Sequence, residues 1–231
     1  MSLLFYYVPH STSNVTSAVL DEIEYGLPSP LAKRIELSIQ AGDTKAPHYL
    51  STVNPNGRVP AIVHDGVSIW ESAAITMYLG ETFGVAGSSD YRKQSLYPAL
   101  GPKRGEAMKW IVWGNTTLAD AVSRLVATLP TGTPGAVEQG SQDFIPENNK
   151  RSLEEAEAKA KAKKEITKCL DILNGALHDS DFLIGQGYCL ADTHLWSFVS
   201  YICILGVSLN GHANVKAWTA RIGDRPALKH E

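Results

Sequence analysis

Apolar positions along the chain keep switching between two periods. Residues 3–8 form an unbroken aliphatic and aromatic run, the pattern of a strand covered on both faces, and Pro9-His10-Ser11-Thr12-Ser13-Asn14 follows as a loop of turn and capping residues. Val15, Val19 and Ile23 then recur every four residues until Gly26, which predicts a helix with one apolar face. At residues 34–39 the period drops to two: Ile35, Leu37 and Ile39 alternate with Arg34, Glu36 and Ser38, predicting a second strand. Strand, helix and strand in this order open a βαβ unit.

The richest stretch is residues 54–72. Pro60 opens the run Ala61-Ile62-Val63, and a residue without an N–H suits the start of a strand better than its middle. His64-Asp65-Gly66 reads as a turn, Val67-Ser68-Ile69-Trp70 as the return strand of a hairpin, and Ser72 heads a helix over 73–83 that Gly84 ends. Were the Val59–Pro60 bond cis, the N–H and C=O of Val59 would point outward, able to pair with an extended peptide as an added strand does. The helix start that follows offers free N–H groups and partial positive charge to a carboxylate. The Ser72 hydroxyl is a further donor there, and Glu71 stands beside it for an ammonium. A plain N-cap next to an exposed glutamate is the competing reading of that pair.

Beyond Gly84 the period-two pattern is gone. Residues 85–100 carry Gly, Ser, Asp and Pro without sustained periodicity and read as a linker, so a first domain is expected over 1–84 and a second over 101–231. Met108, Ile111, Val112, Leu118, Val122 and Leu125 predict one long helix over 101–129, with Trp110 and Trp113 among them. Residues 131–149 are an inter-helix excursion poor in apolar residues. Ser152-Leu153-Glu154-Glu155 fits a capping box, and Glu155 with Lys159 and Glu157 with Lys161 are i,i+4 pairs on a solvated helix face. Residues 195–207 are apolar nearly all round, too short for a membrane span and therefore a core helix. Residues 214–221 supply a last helix.

Composition narrows the partners. With 231 residues, 44% hydrophobic and 19% charged, the chain suits two small domains that each bury a core, and a net charge of −3 leaves no footprint for nucleic acid or an anionic membrane. Three cysteines, Cys169, Cys189 and Cys203, lack metal-ligand spacing and read as buried thiols of a reducing compartment. No basic n-region precedes the first apolar run, so a cytoplasmic location is expected, which empties the sequons at Asn14 and Asn115 of meaning.

The succession Val59-Pro60, strand, turn, strand, Glu71-Ser72, helix resembles the glutathione site of the glutathione transferase superfamily. The resemblance implies an α/β, thioredoxin-like N-terminal domain followed by an all-helical C-terminal bundle. It assigns the cysteinyl part of glutathione to the Val59 backbone before Pro60, and the γ-glutamyl end to Glu71 and Ser72. Residues 41–50 resemble the plant phi class, in which a lysine placed like Lys45 contacts the glycine end. Arg58 stands where that class has glutamine, and an exposed, solvated arginine is an equal reading of it. Residues 182–192 resemble the family's entry to its buried central helix, where Cys189 replaces the usual Ser or Thr and leaves Asp192 as the remaining half of a capping box. Trp113 lies on the helix that faces the family's active site. Its roles are core packing or lining an electrophile pocket.

Conjugation requires an ionised thiol. Pro9-His10-Ser11-Thr12 matches the phi pattern Pro-x-Ser-Thr, in which the serine donates to the sulfur, so Ser11 is the expected catalytic residue, with Thr12 and Ser13 as the competing hydroxyls. A hydrogen bond to a charged group, roughly 1.5–3 kcal/mol, lowers the thiol pKa by about one to two units. No cysteine sits in this loop, which disfavours mixed-disulfide chemistry and favours conjugation or hydroperoxide reduction. The resemblance therefore implies an enzyme taking glutathione as co-substrate and a small hydrophobic electrophile, as a homodimer, without a metal, nucleic acid or membrane. The alternatives are a non-catalytic glutathione-fold protein and a glutathione-dependent isomerase or dehalogenase.

Overall fold

In the computed structural model, which describes residues 2–85, 95–129 and 149–229, the first apolar run is strand β1 (Leu3–Tyr7) at the heart of a sheet. Helix α1 (Ser13–Glu24) crosses over to β2 (Ala32–Glu36), which lies parallel to β1. A short 3-10 turn (Asp43–Lys45) and α2 (Pro47–Thr52) lead to β3 (Ala61–His64), and β4 (Val67–Trp70) completes the hairpin. Strand order is β2-β1-β3-β4, with β3 antiparallel to both its neighbours. The second strand starts and ends earlier than its alternation suggests, because Ile39 already lies on a turn and is exposed.

Helix α3 (Ser72–Leu79) runs on into a π-helical turn (Gly80–Gly84). Here Gly80 meets the Tyr97 ring so closely that a Cβ would stand 2.7 Å from it. The expected long helix runs without a break over residues 102–126, as α4 (Pro102–Trp113), a π-helical turn (Gly114–Leu118) and α5 (Ala119–Val126). Then come α6 (Asn149–Ala176), α7 (Leu190–Ile204) and α8 (Ala213–Gly223). Helix α6 begins ahead of residue 152, so Ser152 lies inside it rather than at its cap. The side chains of Ser152 and Glu155, on which the expected capping box and the Glu155–Lys159 pair depend, lie outside the described residues, as do linker residues 86–94 and excursion residues 131–148.

Helix α7 begins five residues before its expected start, because Cys189 caps it. Asp192 Oδ2 accepts the Cys189 N–H at 2.9 Å and the Cys189 sulfur faces the Asp192 N–H, so sulfur stands in for the family's hydroxyl and the box is whole. Asp192 Oδ1 also accepts the Leu183 N–H and the Trp218 indole N–H, both at 2.9 Å. One apolar core runs through both halves of the chain, joining Phe5, Ile23, Ile75 and Leu79 to Ile111, Leu195 and Trp218. A smaller cluster of Tyr49, Val53 and Ala61 lies beneath α2. The two halves are further joined by Glu22 of α1, whose carboxylate, almost wholly enclosed, is gripped by both arms of Arg225 at 2.5 and 2.8 Å. The architecture is a mixed four-stranded, thioredoxin-like N-terminal domain followed by a helical C-terminal domain.

Candidate functional site

Register brings the candidate residues to one end of the sheet. Ala61 pairs with Tyr6 on one side and with Trp70 on the other. The loop after β1, the Val59-Pro60 segment before β3 and the Glu71-Ser72 start of α3 therefore all leave the sheet at that end. The Val59–Pro60 bond is cis. The Thr12 hydroxyl donates to the Val59 carbonyl at 3.1 Å, tying the first loop to the second. Among the described residues nothing accepts the Val59 N–H.

The loop that carries Val59 is fixed from behind. Tyr49 Oη and Asn54 Nδ2 both donate to the Arg58 carbonyl, at 2.7 and 2.8 Å. Burial pushes the Tyr49 phenol up to about 12, so it stays protonated and remains a donor. Lys45 Nζ lies across the Gly57 and Asn56 carbonyls at 2.9 and 3.4 Å, which brings the ammonium to the same loop. Gly57 has φ of 60°, and a Cβ there would stand 2.6 Å from that Nζ and 2.8 Å from the Thr44 carbonyl, so glycine is required on both counts. The Arg58 side chain is exposed, and among the described residues nothing pairs with its guanidinium.

Three hydroxyls occupy the first loop, and their surroundings differ. Ser11 Oγ donates to the Val8 carbonyl at 2.7 Å, lies 2.9 Å from Ser13 Oγ and accepts the Ser13 N–H at 3.1 Å. It is half-buried. Ser13 is fully enclosed and accepts the Val8 N–H at 3.3 Å. Thr12 is exposed and already bonded to Val59.

At the third segment Glu71, not Ser72, is the residue flanking the helix. It adopts φ 70°, an uncommon conformation for a non-glycine residue, and its side chain is exposed and pairs with nothing among the described residues. Ser72 is the first helical residue and is buried. Its Oγ accepts the Asn115 Nδ2–H at 2.8 Å. Asn115 Oδ1 is 2.8 Å from His194 Nε2, and His194 Nδ1 is 2.9 Å from Thr76 Oγ1. Burial holds the His194 imidazole down to about 3, so it is neutral at physiological pH.

Sequence reasoning did not single out Asn115 or His194 for the site. Asn115 was legible only as a sequon, and His194 lies one residue ahead of the helix expected over 195–207. Trp113, two residues before Asn115, is partly buried with its ring edge-on to Trp110 at 5.4 Å between centroids. It packs against the core. Among the described residues no group of three His, Cys, Asp or Glu side chains could hold a metal ion, and no helix is long and apolar enough to cross a membrane.

Comparison with known proteins gives two family matches in tandem: the glutathione S-transferase N-terminal domain over residues 4–81 and the glutathione S-transferase C-terminal domain over residues 140–226. A glutathione S-transferase of Hyoscyamus muticus is 29% identical over 206 residues, covering 84% of this chain and 82% of the relative. The disulfide-bond oxidoreductase YfcG of Escherichia coli is 25% identical over 232 residues, covering 96% and 90%. Among solved structures, Ure2p in complex with glutathione superposes with a TM-score of 0.76 at 19% identity, over 98% of this chain and 91% of the other. Matched in order by models of both domains over most of its length, the chain belongs to the glutathione transferase superfamily.

Proposed function

We propose that this protein is a glutathione transferase that joins the glutathione thiolate to small hydrophobic electrophiles. The observation that carries the reading is the convergence at one sheet end of a hydroxyl-bearing loop, an unpaired Val59 N–H and the start of α3. In this reading the cysteinyl backbone pairs with Val59 before Pro60, Glu71 takes the γ-glutamyl ammonium and Ser72 with the α3 N–H groups takes its carboxylate. Lys45, with Arg58 beside it, meets the glycine carboxylate.

Ser11 is assigned the sulfur. Ser13 is enclosed, and Ser11 and Thr12 each rest a proton on a neutral carbonyl that a charged sulfur can outcompete; the Pro-x-Ser-Thr pattern favours Ser11 of the two. Ser11→Ala is expected to leave glutathione affinity nearly intact and raise the bound thiol pKa by about one to two units, lowering turnover at neutral pH roughly ten- to hundredfold. Higher pH should recover part of it. Thiolate absorbance against pH in wild type, Ser11→Ala, Thr12→Ala and Ser13→Ala checks this. A shift confined to Thr12→Ala or Ser13→Ala would move the role to that hydroxyl, and no shift in any of them would end the serine-type mechanism.

Retention on immobilised glutathione together with turnover of an aromatic halide tests the reading as a whole; retention without turnover is the result for a non-catalytic binder. Reduction of disulfides or hydroperoxides by the same thiolate is the second reading. The name of the Escherichia coli relative favours it, and with no cysteine in the first loop, glutathione itself would supply the thiol.

The helical half, expected to begin near residue 101, contributes the electrophile pocket, with Trp113 as one wall. The expected assembly is a cytoplasmic homodimer that pairs the N-terminal domain of one subunit with the helical domain of the other. Of residues 91–100, a stretch with scattered aromatics for such a contact to cover, 91–94 lie outside the described residues and Leu96 and Tyr97 are buried within the chain. Val67 and Trp70 on edge strand β4 and Val112 on α4 are exposed and supply apolar surface for such a contact. Sedimentation at micromolar concentration should give the mass of two chains, and a monomer would overturn the assembly.

A further inference from the structure

The hydrogen bonds behind Ser72 form a chain with a direction. An amide that gives its N–H to Ser72 Oγ presents its oxygen to His194, so His194 Nε2 carries the imidazole proton and Nδ1 is left to accept the Thr76 O–H. Since His194 is fully buried and neutral, one ring nitrogen donates while the other accepts. The sequence of donors runs Thr76, His194, Asn115, Ser72. At its end Asn115 fills one of the two acceptor sites of the Ser72 oxygen with an N–H that cannot take the Ser72 proton, and among the described residues nothing else accepts that proton.

The backbone is shaped to make this contact. Asn115 lies in the π-helical turn between α4 and α5, a local widening that helices often carry at functional sites. Beside it Gly114 is pressed so closely on α7 that a Cβ would stand 2.7 Å from Leu195 Cδ1 and 3.7 Å from His194 Cδ2. That close approach brings the turn against the residues that orient the Asn115 amide.

We propose that Asn115, oriented by His194 and Thr76, is a positioning residue that commits the Ser72 hydroxyl to donating outward, and so selects a carboxylate at the start of α3. The proposal rests on the reading of Ser72 given above. A hydroxyl that can give its proton inward meets a ligand as an acceptor; one that faces an N–H on its inner side keeps its proton for the ligand, and a carboxylate is a stronger acceptor for that proton than an amide. Asn115 touches no ligand in this arrangement and acts through Ser72 alone.

The test is a cycle of Asn115→Ala, Ser72→Ala and the double variant, read by calorimetric titration with glutathione and with glutathione whose γ-glutamyl carboxylate is replaced by a carboxamide. Asn115→Ala is expected to weaken glutathione about tenfold and to shrink the preference for carboxylate over carboxamide. KM should rise while kcat and the bound thiol pKa stay put, and the double variant should be no weaker than Ser72→Ala. Asn115→Asp, which keeps the shape but has no N–H to give, should lose as much and serves if Asn115→Ala does not fold. Unchanged affinity in a folded Asn115 variant, or losses that multiply in the double variant, would overturn the proposal while leaving the glutathione site standing. Failure of the wild-type protein to bind glutathione would overturn that site and the proposal with it.

Discussion

Asp192→Ala is expected to cost the fold about 3–5 kcal/mol, well beyond the roughly 0.5–2 kcal/mol of a lost helix cap. The reason is the number of groups that depend on one carboxylate. Leu183 and Cys189 give it backbone N–H groups and Trp218 its indole N–H, all in a site closed to water. Each donor left unpaired costs roughly 1–3 kcal/mol. The loss stays below the sum of the three because burying the charge is itself unfavourable: desolvation, only partly offset by the donors, raises the Asp192 carboxyl above its ordinary range, and alanine relieves that cost. At about 2–4 °C per kcal/mol for a chain of this size, the melting temperature should fall by roughly 6–20 °C. Asp192→Asn keeps one acceptor and should fall in between. An unfolding free energy from urea titration within about 1 kcal/mol of wild type for Asp192→Ala would show that the three donors find water or other partners.

Arg225→Ala should be comparably damaging, at about 3–5 kcal/mol, because it strands a buried charge and does more than break an ion pair. Glu22 is 2% exposed and has both oxygens bonded to the Arg225 guanidinium, which in turn lies 3.4 Å above the Tyr188 ring. Arg225→Lys should also lose much of the stability, since an ammonium cannot grip both oxygens or lie flat on the ring. The joint replacement Glu22→Met with Arg225→Leu should recover most of it, because a buried pair traded for apolar side chains of similar volume removes both desolvation costs together. Denaturant unfolding of the two single variants and the double variant checks the pattern. A double variant as unstable as Arg225→Ala would mean that the position matters for its packing on Tyr188 and not for the charge.

Local pattern was enough for the order of elements in the first half. The unbroken apolar run of β1, the four-residue spacing of Val15, Val19 and Ile23, and the turn at Asp65-Gly66 each dictate their element through nearest-neighbour chemistry. Tertiary packing decided where several of them end. Ile39 continues an alternation that β2 does not use, and the single period across residues 101–129 conceals a π-helical turn, because an extra residue in the turn is compatible with the same apolar spacing. At Cys189 the chemistry ran against the expected rule: sulfur is a weak acceptor, yet in a closed site it completes the cap that a hydroxyl usually supplies.

The same division holds at the candidate site. Val59-Pro60, Glu71-Ser72 and the Ser11 loop stand out in the sequence because each carries its signal in adjacent residues: a proline before a strand, an acid and a hydroxyl at a helix start, hydroxyls crowded after a strand. Asn115, His194 and Thr76 carry no such signal. They lie 43, 122 and 4 residues from Ser72 in the numbering, and each alone is an ordinary polar residue on a helix. The sequence by itself singled out the segments on which the proposed glutathione site draws. Only the packing of α4, the π-helical turn that follows it and α7 around α3 brings the Asn115 amide to the Ser72 hydroxyl, since a partner so far along the chain is supplied by the fold and not by the neighbouring residues.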